Sequence, residues 1–320
     1  MPPRLLSPAL RIALLASVGA TVILLFITVG ANGRWSFVLP FRGAKVAAMV
    51  LVGTAIAVST LLFQTVTANR ILTPSIMGLD QLYGLIQTCL VFLAGAAGLT
   101  LLGPRWLFAL EAAAMVGFSL LLFQALFSGS LRDLHLLVLV GIVFGLLFRS
   151  LSSFLARIID PNDFVVLQDT LFANFNSVSS ELLAIAAVTV GLVLAIVWRM
   201  RHVLDVLALG REAAINLGVE HRRTVAVVLV LVAILVSVST ALVGPVTFFG
   251  LLVVSIAYQI AGSEKHQHLL PIASLLGAIT LLAGQLVLER VFALGTALGI
   301  VIEFAGGLMF IWLLLKGRVR

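Results

Sequence analysis

The sequence predicts an all-α polytopic membrane protein. Of its 320 residues, 62% are hydrophobic and only 10% are charged, which is outside the composition of soluble domains. Apolar runs of about 20 residues, the length that crosses a bilayer as a helix, recur along the whole chain. Helices are the expected spanning elements because each one satisfies its own backbone hydrogen bonds in lipid. We therefore expect ten transmembrane helices in a single domain covering residues 1–320.

Each expected span is an apolar run bounded by polar, glycine-rich or proline-containing breaks. A polar stretch at 159–180 predicts a short surface or re-entrant helix rather than a full crossing. Ten crossings would put both termini on one side of the membrane. The predicted spans are 11–30, 44–65, 76–99, 106–127, 134–154, 181–198, 225–243, 248–261, 269–288 and 298–315.

The distribution of basic residues predicts which side that is. With both termini in the cytoplasm, most of the 20 Lys and Arg residues face the cytoplasm, as the positive-inside rule requires. The formal net charge of +7 does not indicate a nucleic-acid partner, because most basic residues lie in connections between spans. The basic residues left on the outer side are Arg34, Arg42, Lys45, Arg105, Arg149, Arg157 and Arg290.

A polar break at 199–224 interrupts the series of apolar segments. Gly210 and Gly218 bracket a predicted short helix, which the second glycine would end in a left-handed conformation. Glu212 falls in the first turn, where a negative charge favours the amide dipoles. Spacing alone leaves two interpretations open: a rigid helix that presses into a partner, or a solvated loop with an incidental helical turn. The apolar stripe at helical spacing is Val206, Leu209, Ala213 and Leu217.

The sequence offers no catalytic or metal-binding constellation. It contains no Gly-x-x-x-x-Gly-Lys-Ser/Thr motif, so we expect no ATP site of the P-loop type on this chain. His266 and His268 lie in a short connection without an obvious third ligand, which favours a solvated loop over a metal site. We therefore expect no enzymatic activity and no bound cofactor.

Polar residues inside apolar runs are expensive and point to function or to pairing within the bundle. Glu111, Arg149 and Glu303 fit either a transport pathway or a structural pair. Gln64 is expected to hydrogen-bond a neighbouring helix. Glycines that would let helices approach closely are Gly53, Gly141, Gly145, Gly277, Gly306 and Gly307.

Three basic residues at the outer side predict a positive rim. Arg42 and Lys45 are three residues apart, so a helix would point them the same way, and Arg290 ends span nine. Such a rim would orient an acidic partner. Anchoring to lipid headgroups explains the same residues equally well.

Several motifs resemble those of known import permeases. Glu212-Ala213-Ala214 followed by Gly218 is similar to the coupling motif of ATP-binding-cassette (ABC) import permeases. Further stretches resemble the iron–siderophore and cobalamin uptake permease family, the FecCD-like permeases. These are residues 42–64, 69–74 with Gly78, 244–251, Leu270-Pro271 with Gly277, and 299–315.

This resemblance implies a type II ABC importer permease in the bacterial inner membrane. It implies a second permease, either a paralogue or another copy, two cytoplasmic ATPases holding ATP and Mg, and a siderophore-binding protein outside. Arg42, Lys45 and Arg290 match basic positions that meet the binding protein. The coupling helix would cover about 207–219 and insert into the ATPase through Leu209, Gly210, Arg211, Glu212, Ala213, Ala214, Leu217 and Gly218.

Departures from the family pattern suggest a branch that carries ferric catecholate siderophores. Val254-Ser255 and Tyr258 replace the usual Pro-His and Arg, and Ala297-Leu298-Gly299 replaces a proline-containing turn. Another chelate such as haem or cobalamin remains an alternative. A proton-coupled transporter using Glu111 and Glu303, or a receptor subunit without an ATPase, are rival interpretations.

Overall fold

The computed structural model describes residues 7–30, 35–101, 103–128, 134–176, 178–290 and 298–315, and within these ranges the chain is helical with no strand. Arg34 and Ala297, which the sequence analysis singled out, lie outside the described ranges. The helices are α1 (Pro8–Thr28), α2 (Trp35–Thr67), α3 (Leu79–Leu101), α4 (Gly103–Ser128), α5 (Leu134–Ala156), α6 (Pro161–Thr170), α7 (Ser180–Leu207), α8 (Arg211–Asn216), α9 (His221–Val243), α10 (Phe249–Ala261), α11 (His266–Arg290) and α12 (Leu298–Leu315), with a 3₁₀ turn at Pro74–Met77.

Seven helices in the described part of the chain are long and apolar enough to cross a membrane. They belong to α1, α2, α4, α5, α7, α9 and α11. Three shorter apolar helices, Leu79–Gly95, Phe249–Ala261 and Leu298–Met309, occupy the other predicted spans. The helical positions thus match the apolar runs, while the number of ten crossings stays a prediction. The short helix expected within 159–180 is α6.

The sixth predicted span is too short. It was expected to end at 198, but α7 continues to Leu207. Leu204 and Leu207 are buried while His202 faces outward, so the helix keeps one apolar face against the bundle beyond the membrane-length run. Polar residues in the sequence indicate where the helix leaves the apolar layer. They do not end a helix whose opposite face still packs on the bundle.

The third predicted span also begins differently. Residues 74–77 form a 3₁₀ turn, and Gly78 has a φ of 82°, so α3 starts only at Leu79. Gly78 is pressed against α5, since an added Cβ would lie 2.9 Å from the Gly145 Cα. Gly141 meets Met77 in the same way. The expected role of these α5 glycines in close approach is confirmed.

The core lies along α2, α9 and α11, which are the most buried of the long helices. Gly53 of α2 faces Gly277 of α11, and an added Cβ on Gly53 would lie 2.7 Å from the Gly277 carbonyl carbon. Gly306 likewise packs on Phe248. Among the described residues, a Cβ added to Gly307 would meet nothing within 4 Å, so its predicted role in close approach is not confirmed.

Candidate functional site

The short helix α8 forms as the glycine pattern predicts. Gly210 precedes it with a φ of 95° and Gly218 follows it with a φ of 83°, both in the left-handed region that favours glycine. The backbone N–H groups of Leu217 and Gly218 donate to the carbonyls of Ala213 and Ile215, each at 3.0 Å, and close the helix. The two glycines therefore turn the chain sharply between α7 and α9.

One residue of α8 anchors the helix and its neighbours face outward. Ala214 is fully buried, so its small side chain brings α8 close to the bundle. Leu209, Ile215 and Leu217 are 65%, 51% and 62% exposed. Exposed apolar side chains in a polar connection are typical of a protein contact. Arg211, Glu212 and Asn216 are exposed beside them.

A buried histidine links α7, the helix that leads into α8, to α11 and α2, and the sequence analysis missed it. His266 is 1% exposed, so its assignment to a solvated loop is wrong. Its backbone N–H donates to Asp205 Oδ1 at 2.7 Å, and its ring Nδ1 lies 2.8 Å from the same oxygen. Its Nε2 lies 2.9 Å from Thr65 Oγ1. We call Asp205, His266 and Thr65 the histidine bridge; it links α7, α11 and α2.

Two arginines strengthen the same end of the bundle. Arg70 Nη2 donates to Glu264 Oε2 at 2.9 Å, and its guanidinium lies 4.4 Å from the Tyr258 ring centroid. Arg11 Nη1 donates to the Ile260 carbonyl at 2.6 Å, which satisfies a carbonyl at the C-terminus of α10. Polar contacts thus cross-link this end of the bundle.

At the opposite end, Lys45 is occupied by internal contacts. It is 6% exposed and forms an ion pair with Glu289, and it also donates to Asn176 Oδ1. In this conformation its ammonium group does not face the surface. Docking of a partner on Lys45 remains a prediction that requires this contact to open.

Arg42 and Arg290 lie beside that ion pair. Arg42 Nη1 donates to the Ile27 and Val29 carbonyls, both at 2.8 Å, and so caps the C-terminus of α1. Arg290 is exposed, and its guanidinium lies against Gly30. The structure brings the three basic residues of the predicted rim to one end, while their docking role stays a prediction.

The intramembrane polar residues lie in different surroundings. Glu111 is 2% exposed and accepts a hydrogen bond from Gln87 Nε2 of α3. Arg149 is exposed on α5, and Glu303 is partly buried on α12. Gln64 Nε2 donates to the Arg70 carbonyl at 2.8 Å, in the connection that follows its own helix, α2. The expected hydrogen bond to a neighbouring helix is therefore wrong. These residues do not form one shared polar site.

The FecCD transport family matches residues 9–316 of this sequence. The chain belongs to the FecCD transport family. The petrobactin import system permease protein YclO of Bacillus subtilis is 49% identical over 307 residues, which cover 96% of this chain and 97% of YclO. The petrobactin import system permease protein FatC of Bacillus anthracis is 35% identical over 277 residues, covering 87% and 78% of the two chains.

The fold agrees with this membership. The structure resembles that of a metal-chelate type ABC transporter in an inward-facing conformation with a TM-score of 0.82, covering 97% of this chain and 100% of that one at 22% identity. The fold class is therefore that of type II ABC importer permeases. As a FecCD permease the chain is a multi-pass membrane protein of a bacterial ABC importer, and this family of permeases lacks its own ATPase site.

Proposed function

We propose that this chain is the permease subunit of an ATP-driven importer that moves a ferric siderophore of the catecholate type across the bacterial inner membrane. The observation that carries the proposal is its 49% identity to a petrobactin import permease over nearly the full length of both chains. A second petrobactin permease, 35% identical, supports the same substrate class. The whole of residues 1–320 acts as one permease domain without enzymatic activity.

In the proposed mechanism, α8 is the coupling helix within 207–219. Leu209, Ile215 and Leu217 enter a groove on the ATPase, because they are the exposed apolar residues at this turn. Ala214 holds α8 against the bundle, so a displacement of the ATPase moves α7 and α9 with it. Arg211 and Glu212 contribute polar contacts at the edge of the ATPase groove. Gly210, Ala213 and Gly218 preserve the turn.

The proposed assembly contains a second permease, which is a paralogue or another copy, and two ATPases that bind ATP and Mg. Both termini lie in the cytoplasm, as does α8. The binding protein docks at the opposite end on Arg42 and Arg290, and on Lys45 once its contact with Glu289 opens. The substrate pathway runs between the two permeases, and alternating tilts of the helices expose it to each side.

Substituting Leu217 tests the coupling. Leu217→Asp places a charge in the proposed ATPase groove, where its desolvation is costly, so ATPase co-purification and uptake of ferric petrobactin should both fall steeply. Because Leu217 is exposed, the melting temperature of the isolated permease should stay unchanged. The matched control is Ile158→Asp, an exposed apolar residue in the connection between α5 and α6.

Three outcomes would contradict the proposal. ATPase binding and uptake that survive Leu217→Asp would show that α8 is not the coupling element. A deletion strain rescued for a ferric hydroxamate or cobalamin, but not for a ferric catecholate, would show that the substrate class is wrong. Uptake that persists after ATP depletion and stops without a proton gradient would replace the ABC mechanism itself.

A further inference from the structure

A small cavity inside the bundle is lined partly by side-chain oxygen atoms. It lies where α2 and α9 meet the 3₁₀ turn, the start of α3 and the connection from α9 to α10. It has room for about one water molecule or one small ion. The polar residues that line it are Ser59, Thr60, Ser75, Asp80, Thr240 and Thr247, and the rest of its wall is apolar. We call this the hydroxyl cavity.

Asp80 supplies the charge of the hydroxyl cavity. The residue is 8% exposed, and its Oδ2 has no hydrogen-bond partner among the described residues. The hydroxyl groups of Ser75 and Thr247 lie within hydrogen-bonding reach of the Asp80 carboxyl group. A buried carboxylate needs a donor or a cation at each oxygen, and a protonated carboxyl group needs an acceptor for its O–H. Asp80 Oδ2 therefore requires a bound group in either protonation state.

The other walls present electron pairs or negative ends of dipoles. Ser59 Oγ donates to the Ile56 carbonyl at 3.0 Å, which leaves its lone pairs for another partner. Thr240 lies in the last turn of α9, where the helix dipole is negative and favours a cation. Glu303 of α12 is a second carboxyl group nearby. Thr247 lies within hydrogen-bonding reach of both Glu303 and Asp80. No ion pair within the described ranges joins Asp80 or Glu303 to a Lys or Arg.

We propose that the hydroxyl cavity binds one Na⁺ ion, with Asp80 as its charged ligand and the hydroxyls of Ser59, Thr60, Thr240 and Thr247 around it. The polar side chains of the lining present only oxygen atoms, which suits a hard cation, and they include none of the His and Cys ligands that transition metals prefer. The single carboxylate in the lining neutralises one positive charge, whereas a divalent ion would leave an excess charge in an apolar interior. Na⁺ is smaller than K⁺ and is therefore the better fit to a cavity with room for a single water-sized group.

The ion has a structural consequence for the permease. It joins α2, the start of α3 and the end of α9, which are otherwise held there by side-chain packing. Helix ends that meet inside a bundle form cation sites of this kind in membrane transporters. The sodium site lies within the bundle, so its occupancy depends neither on which siderophore is transported nor on the coupling to the ATPase.

Sodium-dependent stability and binding test the proposal. The full-length permease, purified with its partner subunits, is melted in NaCl, KCl and choline chloride at equal ionic strength and fixed pH, and binding of radioactive sodium is measured. We expect a saturable rise in melting temperature with Na⁺ only, and saturable sodium binding. Asp80→Asn should abolish both effects, since an amide keeps the shape and removes the charge.

Two further variants keep the test decisive. Asp169→Asn removes an exposed carboxylate from α6 and should leave sodium binding unchanged. If Asp80→Asn fails to fold, Thr240→Val, which removes one hydroxyl at nearly constant shape, should weaken sodium binding. Identical melting in the three salts, sodium binding that survives both cavity variants, or a response to pH alone would overturn the proposal.

Discussion

His266 shows how a single residue gains its role from distant partners. Asp205 is 61 positions away along the chain and Thr65 is 201 positions away. Nothing in the local sequence Glu264–His268 predicts these contacts, because the local pattern is that of a polar connection. The fold brings the three residues together at the start of α11, where the Asp205 carboxylate also caps the first turn.

Replacing His266 should destabilise the permease. His266→Ala removes the two ring hydrogen bonds, to the Asp205 carboxylate and to the Thr65 hydroxyl, and keeps the backbone N–H bond to Asp205, at a cost of about 1 kcal/mol for each lost hydrogen bond. We expect a lower melting temperature and weaker coupling of ATPase activity to uptake, because the histidine bridge includes Asp205 in the last turn of α7, the helix that leads into α8. Thermal unfolding in detergent and substrate-stimulated ATPase activity measure the two effects.

His202→Ala is the matched control, since this histidine is exposed on the same stretch of α7 as Asp205. It should leave stability and coupling unchanged. Equal melting temperatures for the two variants would show that the histidine bridge contributes nothing.

Glycine contacts set the spacing of two central elements. Gly53 and Gly277 let α2 and α11 approach until backbone touches backbone. Small residues have this function in membrane bundles because lipid gives helices no hydrophobic reason to associate, and close packing supplies the attraction. The sequence predicts the role of both glycines, but it cannot tell which glycine faces a partner.

Gly277→Ala should separate α2 from α11. The added Cβ would lie 2.7 Å from the Gly53 carbonyl carbon, so the helices must shift, at a cost of about 1–3 kcal/mol. Gly191→Ala on α7 is the control, because a Cβ there would meet no described residue within 4 Å and alanine is the better helix former. The melting temperature should fall clearly for Gly277→Ala and should not fall for Gly191→Ala. A fall for Gly191→Ala alone would show that the contact between the two glycines does not hold α2 against α11.

The sequence predicts elements better than the contacts between them. Apolar runs locate the spans, and Gly210 and Gly218 locate α8, because hydropathy and backbone conformation are local properties. The end of α7 is missed because its buried leucines are recognised only when α9 and α8 are in place. The site in the hydroxyl cavity is missed for a similar reason: Ser59, Asp80 and Thr240 belong to three separate helices.

At the scale of the whole molecule, α2 and α11 form one unit. They are joined at one end by Lys45 and Glu289, in the middle by the paired glycines and at the other end by the histidine bridge. Contacts at three levels resist both sliding and tilting. We therefore expect these two helices to move together during transport.

Paired spin labels can measure this motion. Leu39 on α2 and Val287 on α11 are exposed, so cysteines placed there in a Cys89→Ala background can be labelled without disturbing the core. The distance between them should be the same in the nucleotide-free and ATP-bound complex. The control pair is Leu39 with Ile311 on α12, whose distance should change. A change in the first distance as large as in the second would show that α2 and α11 separate.

The shortness of α10 restricts how the permease can move. Its 13 residues rise about 20 Å, while the hydrocarbon layer is about 30 Å thick. If α10 is one of the predicted crossings, the non-helical chain from Gly244 to Phe248 needs shelter from acyl chains, which offer its peptide groups no hydrogen bonds. Gly306 of α12 shields it on one side, and the segment before α7 shields it on another, where Asn174 donates its N–H to the Val243 carbonyl. A permease that opened between this segment and its two neighbours would expose unpaired peptide groups to lipid, so its gate has to lie elsewhere.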